Sequence, residues 1–148
     1  MTRIELSTTI GAPIAACFDA ARDIGLHCAL AHNTNERVVA GRVRGLIGAG
    51  EWVTFSARHF GVRLQLTAHV TDFEPPFRFV DEQTRGPFAS LRHTHEFTSL
   101  SSHKTHMRDI VEFTCPFGFV GRLAEPVVAW HLRRFLEERA RGLKAWLE

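Results

Sequence analysis

The sequence has no tyrosine and no C-x-x-C pair, and its three cysteines, Cys17, Cys28 and Cys115, are isolated. An odd, scattered set of this kind excludes a disulfide framework and a dithiol redox motif, and suits a reducing compartment. No apolar run approaches the ~18 residues a membrane helix needs. The first residues, M-T-R-I-E-L-S, lack a signal-peptide hydrophobic region, so the expected location is cytoplasmic. Charge of one sign is also lacking: a formal net charge of +2 is far from a nucleic-acid footprint, and no nucleic-acid partner is expected. There is no linker, internal repeat or low-complexity tract, which predicts one domain over residues 1–148. What is abundant is phenylalanine, twelve of 148 residues, enough to wall a cavity.

Taken in order, Arg3–Ile10 alternates as a strand and Gly11-Ala12-Pro13 ends it. Pro13 suits the first turn of a helix, and Ile14, Cys17, Phe18 and Ala21 carry the helical spacing over Ile14–Arg22. Ile24–Ala31 reads as a second short helix. Strands follow at Glu36–Arg44, Glu51–His59, Val62–Phe73 and Phe77–Arg85. The glycines of Gly45–Gly50 lack the Gly-Lys-Ser/Thr ending of a phosphate loop and read as a hairpin connection. In Phe77–Arg85 the inward phase is open, since Phe77 and Phe79 argue for one face and Val80 for the other. Val120–Leu147 is one long helix with an apolar stripe of Leu132, Phe135, Leu136, Leu143 and Trp146; Pro126 within it predicts a kink or a break.

Leu91–Phe113 carries the most chemical information. His93, His95 and Phe97 share one face of one strand; Met107, Asp109, Val111 and Phe113 share one face of the next. Two imidazoles and a carboxylate thus lie on faces whose other members are apolar, where polar groups need partners or a ligand. A five-residue connection at the Ser99–Ser102 break would set His93 directly opposite Asp109. The group can be a self-satisfied pair, a ligand-orienting set or an acid–base site with His93 or His95 as base. A metal site is the weaker alternative. The two histidines are ~6.6–6.8 Å apart along the strand and Asp109 offers a third ligand, but a fourth is missing, so no metal and no cofactor is assigned. His27, His32, His103 and His106 read as surface or loop residues, and His131 falls on the long helix.

The element order predicts an α+β fold: a seven-stranded curved antiparallel sheet wrapped around a long C-terminal helix, with two short helices after the first strand. A curved sheet cannot close fully on one helix, so a cavity between them is expected. Five segments then show a resemblance: G-E-W-V-T-F-S-A-R-H-F-G (Gly50–Gly61), R-F-V-D-E-Q-T-R-G-P-F (Arg78–Phe88), R-H-T-H-E-F (Arg92–Phe97), M-R-D-I-V-E-F (Met107–Phe113) and P-F-G-F-V-G-R-L (Pro116–Leu123). With them the chain resembles, over its whole length, the START-like helix-grip superfamily, also called SRPBCC. That superfamily contains polyketide cyclases and aromatases, lipid-transfer domains and plant allergens. More narrowly the chain is similar to a bacterial branch some of whose members carry the label cell division inhibitor.

The resemblance implies the helix-grip fold and a small hydrophobic or amphipathic ligand; it implies no mechanism. The polar anchors expected are His93, His95 and Asp109, with His59, Asp81 and Gln83 beside them. The apolar lining expected is Phe55, Leu64, Leu66, Phe97, Met107, Val111, Phe135 and Leu136. Phe60, Phe88, Phe117 and Phe119 sit at turns that cluster at one end of such a fold, as a ligand portal or as caps on the core. Three functions remain open: a binding protein, a cyclase, aromatase or dehydratase with a cavity histidine as base, and a protein-interaction module. Oligomeric state is left unassigned.

Overall fold

The computed structural model describes residues 1–31 and 34–148; His32, expected in a loop, lies outside them. The elements run β1 (Thr2–Ile10), α1 (Ile14–Ala21), α2 (Ile24–Ala29), β2 (Arg37–Gly41), β3 (Trp52–His59), β4 (Val62–Glu74), β5 (Arg78–Arg85), β6 (Ser90–Ser101), β7 (Lys104–Thr114) and α3 (Gly118–Leu147). The seven strands form one sheet in the order β1-β7-β6-β5-β4-β3-β2, antiparallel at every junction. This is the architecture expected from the pattern of the chain.

Local chemistry places the boundaries. Pro13 stands just ahead of α1, and its carbonyl accepts from Cys17 N at 3.1 Å. The Asp23 side chain caps α2 by accepting from Leu26 N at 3.1 Å, worth about 1 kcal/mol. Phe60 and Gly61 both have positive φ, 54° and 75°, the twist a two-residue hairpin requires. They turn β3 into β4 with His59 facing Val62.

Three expectations are corrected. The strand expected over Glu36–Arg44 is shorter, Arg37–Gly41, with an irregularity between Val38 and Ala40. The supposed break at Ser99–Ser102 is largely strand: β6 continues to Ser101 and the chain turns over Ser102 and His103. This tighter turn shifts the register by two residues, so His95 rather than His93 faces Asp109, and His93 faces Val111. A shift of two keeps each side chain on its face, whereas a shift of one would have inverted them. Finally, the break allowed at Pro126 does not occur: α3 passes through it as one 30-residue helix. Contacts on both sides of the proline hold it: Glu125 accepts from Thr2 Oγ1 at 2.6 Å, Arg133 reaches the Glu5 carbonyl, and Lys144 donates to the Thr9 carbonyl at 2.7 Å.

The open phase of β5 is now fixed. Phe79 and Asp81 face the helix. Val80 packs on the other face, in register with Thr94, which in turn faces Ile110; all three are buried. Phe77 precedes the strand and is exposed. At the α1 end the sheet and α3 close on a core of Ile10, Phe18, Phe79, Phe97, Met107 and Leu143. Phe18 is its centre, with edge-on rings of Phe79 and Phe97 at 5.5 Å. Toward the β3–β4 turn, sheet and helix separate.

Candidate functional site

The separation leaves a cavity of about 480 Å³, within the size range of small-molecule sites. Its floor is the helix-facing side of the sheet: Val53, Phe55 and Ala57 of β3, Leu64, Leu66, Ala68 and Val70 of β4, Phe79 and Asp81 of β5, His93 and His95 of β6, and Val111 of β7. Its roof is α3, through Val128, His131, Leu132, Phe135, Leu136 and Arg139. Alternation in the strands and the i, i+3, i+4 spacing in the helix generate this lining. The walls are largely apolar; His59 and His131 meet near the Phe60 turn, and at the end nearest α2 seven ionisable side chains come together, Asp81, His93, His95, Asp109, His27, Glu36 and Arg139.

Four ionisable groups form a chain across β5, β6 and β7. Asp109 Oδ1 lies 2.8 Å from His93 Nε2 and 3.3 Å from His95 Nδ1. On the far side of its ring, His95 Nε2 lies 2.9 Å from Asp81 Oδ2. The imidazoles of His93 and His95 stack with centroids 3.7 Å apart. An ionised carboxylate can only accept, so His95, with a carboxylate on each nitrogen, carries both protons. Burial disfavours that charge, but bonds to Asp109 and Asp81 outweigh it and raise the His95 pKa. Burial likewise opposes the two carboxylates, and the histidine bonds overcome it and hold both below the usual range. His93 has one carboxylate contact. Burial, together with the charge on His95, depresses its pKa despite Asp109. His93 is therefore neutral, with the proton on Nε2 toward Asp109 and the lone pair on Nδ1, which has no hydrogen-bond partner among the described residues.

His27, Glu36 and Arg139 form the second arm, which the sequence reading missed. His27 is not a surface residue: its ring stacks on Phe55 with centroids 4.6 Å apart. Arg139 donates to His27 Nε2, so the His27 proton sits on Nδ1, 2.6 Å from Glu36 Oε1, in close contact but outside hydrogen-bonding angles. Burial first, then the Arg139 charge, lowers the His27 pKa. Burial opposes ionisation of Glu36, and His27 and Arg139 together outweigh it to hold the carboxyl low. Two signals pointed here. Arg139 continues the inward stripe of α3 three residues after Leu136, and His27 lies three after buried Ile24 on α2. Glu36 left no such trace.

The remaining expected residues divide. His59 lines the cavity and shares a 2.8 Å hydrogen bond between its Nδ1 and His131 Nε2; burial, chiefly, lowers both pKa values. Phe55, Leu64, Leu66, Val111, Phe135 and Leu136 line the cavity. Phe97 and Met107 do not: they belong to the packed core around Phe18, because the register carries their end of β6 and β7 under α1. Asp109 lies behind the two histidines, on a recess of about 20 Å³ shared with His95, Met107 and Arg139. Gln83 is outside the lining as well. Its amide donates to the Phe88 carbonyl and accepts from Phe88 N at 2.8 and 3.2 Å, bracing the β5–β6 turn. At the mouth, Phe60 and Phe117 line the cavity and are exposed. Phe88 also lines it, half-buried against Phe113, and Phe119 is exposed, off the lining. His103 and His106 stay outside the cavity, and Trp146, expected on the apolar stripe, is exposed.

Two triads bring ligating atoms within 4.8 Å of one another: Asp81, His93 and His95, and His27, Cys28 and Glu36. In the first, both His95 nitrogens already serve carboxylates. In the second, burial and then Glu36 push the Cys28 thiol up to about 11.

Comparison with known proteins gives a consistent picture. A family described as Polyketide cyclase / dehydrase and lipid transport matches residues 1–148. No curated protein matches the sequence significantly. Among solved structures, a protein from Thermus thermophilus superposes with TM-score 0.79 at 18% identity, over 97% of this chain and 95% of that one. The Zhui aromatase/cyclase from a Streptomyces species superposes with TM-score 0.81 at 12% identity, over 99% and 93%. A START superfamily protein from Mycobacterium smegmatis gives 0.76 at 12%, over 98% and 96%. At these identities the likeness is one of fold.

Proposed function

The chain belongs to the polyketide cyclase / dehydrase and lipid transport family, the START-like or SRPBCC helix-grip group, and we propose that it holds a small hydrophobic or amphipathic molecule between sheet and α3. The cavity carries this reading: about 480 Å³ of space with largely apolar walls and a strongly polar end near α2. A molecule lying in it buries its apolar body against Phe55, Leu64, Leu66 and Phe135 and directs its polar end toward His93 and His95. The polar end is narrowly specified. The carboxylates of Asp81, Asp109 and Glu36 outnumber the Arg139 and His95 cations by one, and the open position is the lone pair on His93 Nδ1, which accepts a hydrogen bond. A hydroxyl donor fits there better than a carboxylate, which would meet three anionic neighbours. The cell-division label of the narrower branch has no support from the family match or the solved structures and forms no part of this proposal.

Native mass spectrometry of freshly purified protein is the direct test, and a non-covalent small-molecule adduct is expected. Ala68→Trp fills the cavity from the β4 floor. It should lower adduct occupancy or apolar-probe affinity at least about tenfold, a loss of about 1.4 kcal/mol, while changing stability by less than about 1.5 kcal/mol, because the added ring enters empty space. Binding that survives this substitution would locate the ligand elsewhere.

One observation favours a second reading, an enzyme of the cyclase, aromatase or dehydratase type. His93 is neutral, oriented through Nε2 by an ionised Asp109, and open at Nδ1, which is the arrangement of a general base. His93→Ala should then lower turnover of aromatic polyketide-like substrates about 10²–10⁴-fold while leaving apolar-probe affinity within a few-fold. Absence of turnover across aromatic polyketide-like substrates in the unmodified protein leaves binding as the simpler account.

A further inference from the structure

The mouth of the cavity is surrounded by an apolar surface that the fold does not use. Phe117, Phe119, Val120, Leu123 and Trp130 are 84, 73, 68, 66 and 59% exposed, and Phe60 across the opening is 59% exposed. Phe119, Leu123 and Trp130 follow helical spacing and share one face of α3, beside the stripe that lines the cavity. Phe60 packs on His131 with ring centroids 4.3 Å apart, so the β3–β4 turn and α3 present one continuous patch. A patch of this kind marks an interaction surface.

The charges around it have one sign. Segments 58–63, 85–89 and 114–134, which border the mouth, contain six arginines and a single acid, Glu125; Arg63 bonds to Ser56 and the Asn35 carbonyl and Arg133 to the Glu5 carbonyl, which leaves Arg58, Arg85, Arg122 and Arg134 for the rim. Glu125 is turned inward, 8% exposed, accepting from Thr2 Oγ1 and Cys115 N. The Arg134 guanidinium lies 5.0 Å from the Trp130 ring centroid. A second copy seated symmetrically here would bring arginine rim against arginine rim with no exposed acid to pair. An anionic lipid surface supplies both things the patch lacks, an apolar layer for the aromatic side chains and negative head groups for the arginines.

We propose that this face docks on anionic membrane surfaces, with the first turns of α3 and the Phe60 turn in the interfacial layer and the cavity mouth opening toward the lipid. The proposal rests on the cavity reading only for the identity of the mouth. No helix among the described residues is long and apolar enough to cross a membrane, so the attachment is peripheral and reversible.

Flotation with vesicles tests it. The protein should float with vesicles containing phosphatidylglycerol, remain behind with phosphatidylcholine alone, and release as salt rises, since screening weakens the arginine contribution. The double variant Phe119→Asp, Leu123→Asp should no longer float. Arg122→Glu with Arg134→Glu should lower partitioning about tenfold or more. Both pairs are exposed, so unchanged thermal melting is expected and separates lost docking from lost folding. The proposal is overturned if the unmodified protein does not float at low salt, if neither variant changes flotation, or if light scattering shows a dimer that the variants dissociate and that does not float. A protein that carries its small molecule but does not float defeats this proposal alone; one that floats but binds nothing in its cavity defeats only the cavity reading.

Discussion

Asp109→Asn is expected to destabilise the protein by about 3 kcal/mol, the lower end for breaking a buried ion pair. Asp109 is 8% exposed and one of its oxygens meets both His93 Nε2 and His95 Nδ1. An amide removes the charge that stabilises the His95 imidazolium and offers one carbonyl to two donors. The penalty stays at the lower end because His95 can respond by shedding a proton, with Asp81 still in place on its other nitrogen. The pKa of His95 should therefore fall in the variant, and that of His93, which Asp109 supports against burial, should fall further. Urea unfolding reads the stability and an NMR titration of the two rings reads the protonation. An unchanged midpoint with unchanged His95 titration would mean that Asp109 does not hold the cluster together.

This cluster also shows what the amino-acid pattern could and could not reveal. Face assignment was legible, because Phe97, Val111 and Phe113 force the phase of β6 and β7 and carry His93, His95 and Asp109 with them. Register was not: it depends on turn length, and a run of serines reads as a loop although it can extend a strand. Asp81 was uncertain for a related reason. Val80 is buried on the convex face beside Thr94 and Ile110, so both faces of β5 carry apolar residues and alternation loses its meaning there. Glu36 depended on tertiary contacts between α2, the start of β2 and α3, for which short-range periodicity carries no signal, and the one trace of His27 was its place three residues after Ile24 on α2. Arg139 was the missed opportunity, a charged residue on an otherwise apolar helical stripe. The fold was more legible than the site because it rests on repeated patterns, whereas the site rests on single residues brought together from distant segments.

Acidification from pH 7 to pH 5 is expected to lower the melting temperature by about 5 °C or more, and the direction follows from which histidines the fold keeps neutral. His27, His59, His93 and His131 all have depressed pKa values, with burial as the first cause in each. The unfolded chain takes up protons at these positions near the ordinary histidine value of about 6.5 while the folded protein does not, so stability falls as pH drops through that region. His95 acts oppositely. Its raised pKa contributes stability that is fully present below about 6.5 and is lost as pH rises through its folded value. The depressed carboxylates Glu36, Asp81 and Asp109 contribute stability that is lost only below their ordinary range of about 4, so they do not affect this window. Four groups therefore oppose the fold below pH 6.5, and His95 alone weakens it above. Each unit of depression is worth about 1.4 kcal/mol, and each kcal/mol moves the melting point by about 2–8 °C. The largely buried His27 and the buried His93 should dominate. Calorimetry across the range reads the effect, and a melting point that holds steady or rises toward pH 5 would show these imidazoles to be accommodated as cations. Protonation of His93 also removes the Nδ1 lone pair that the proposed ligand would use. Affinity for a hydroxyl-bearing ligand should fall with the titration of His93, which is below 6.5, whereas affinity for a purely apolar probe should follow only the loss of folded protein.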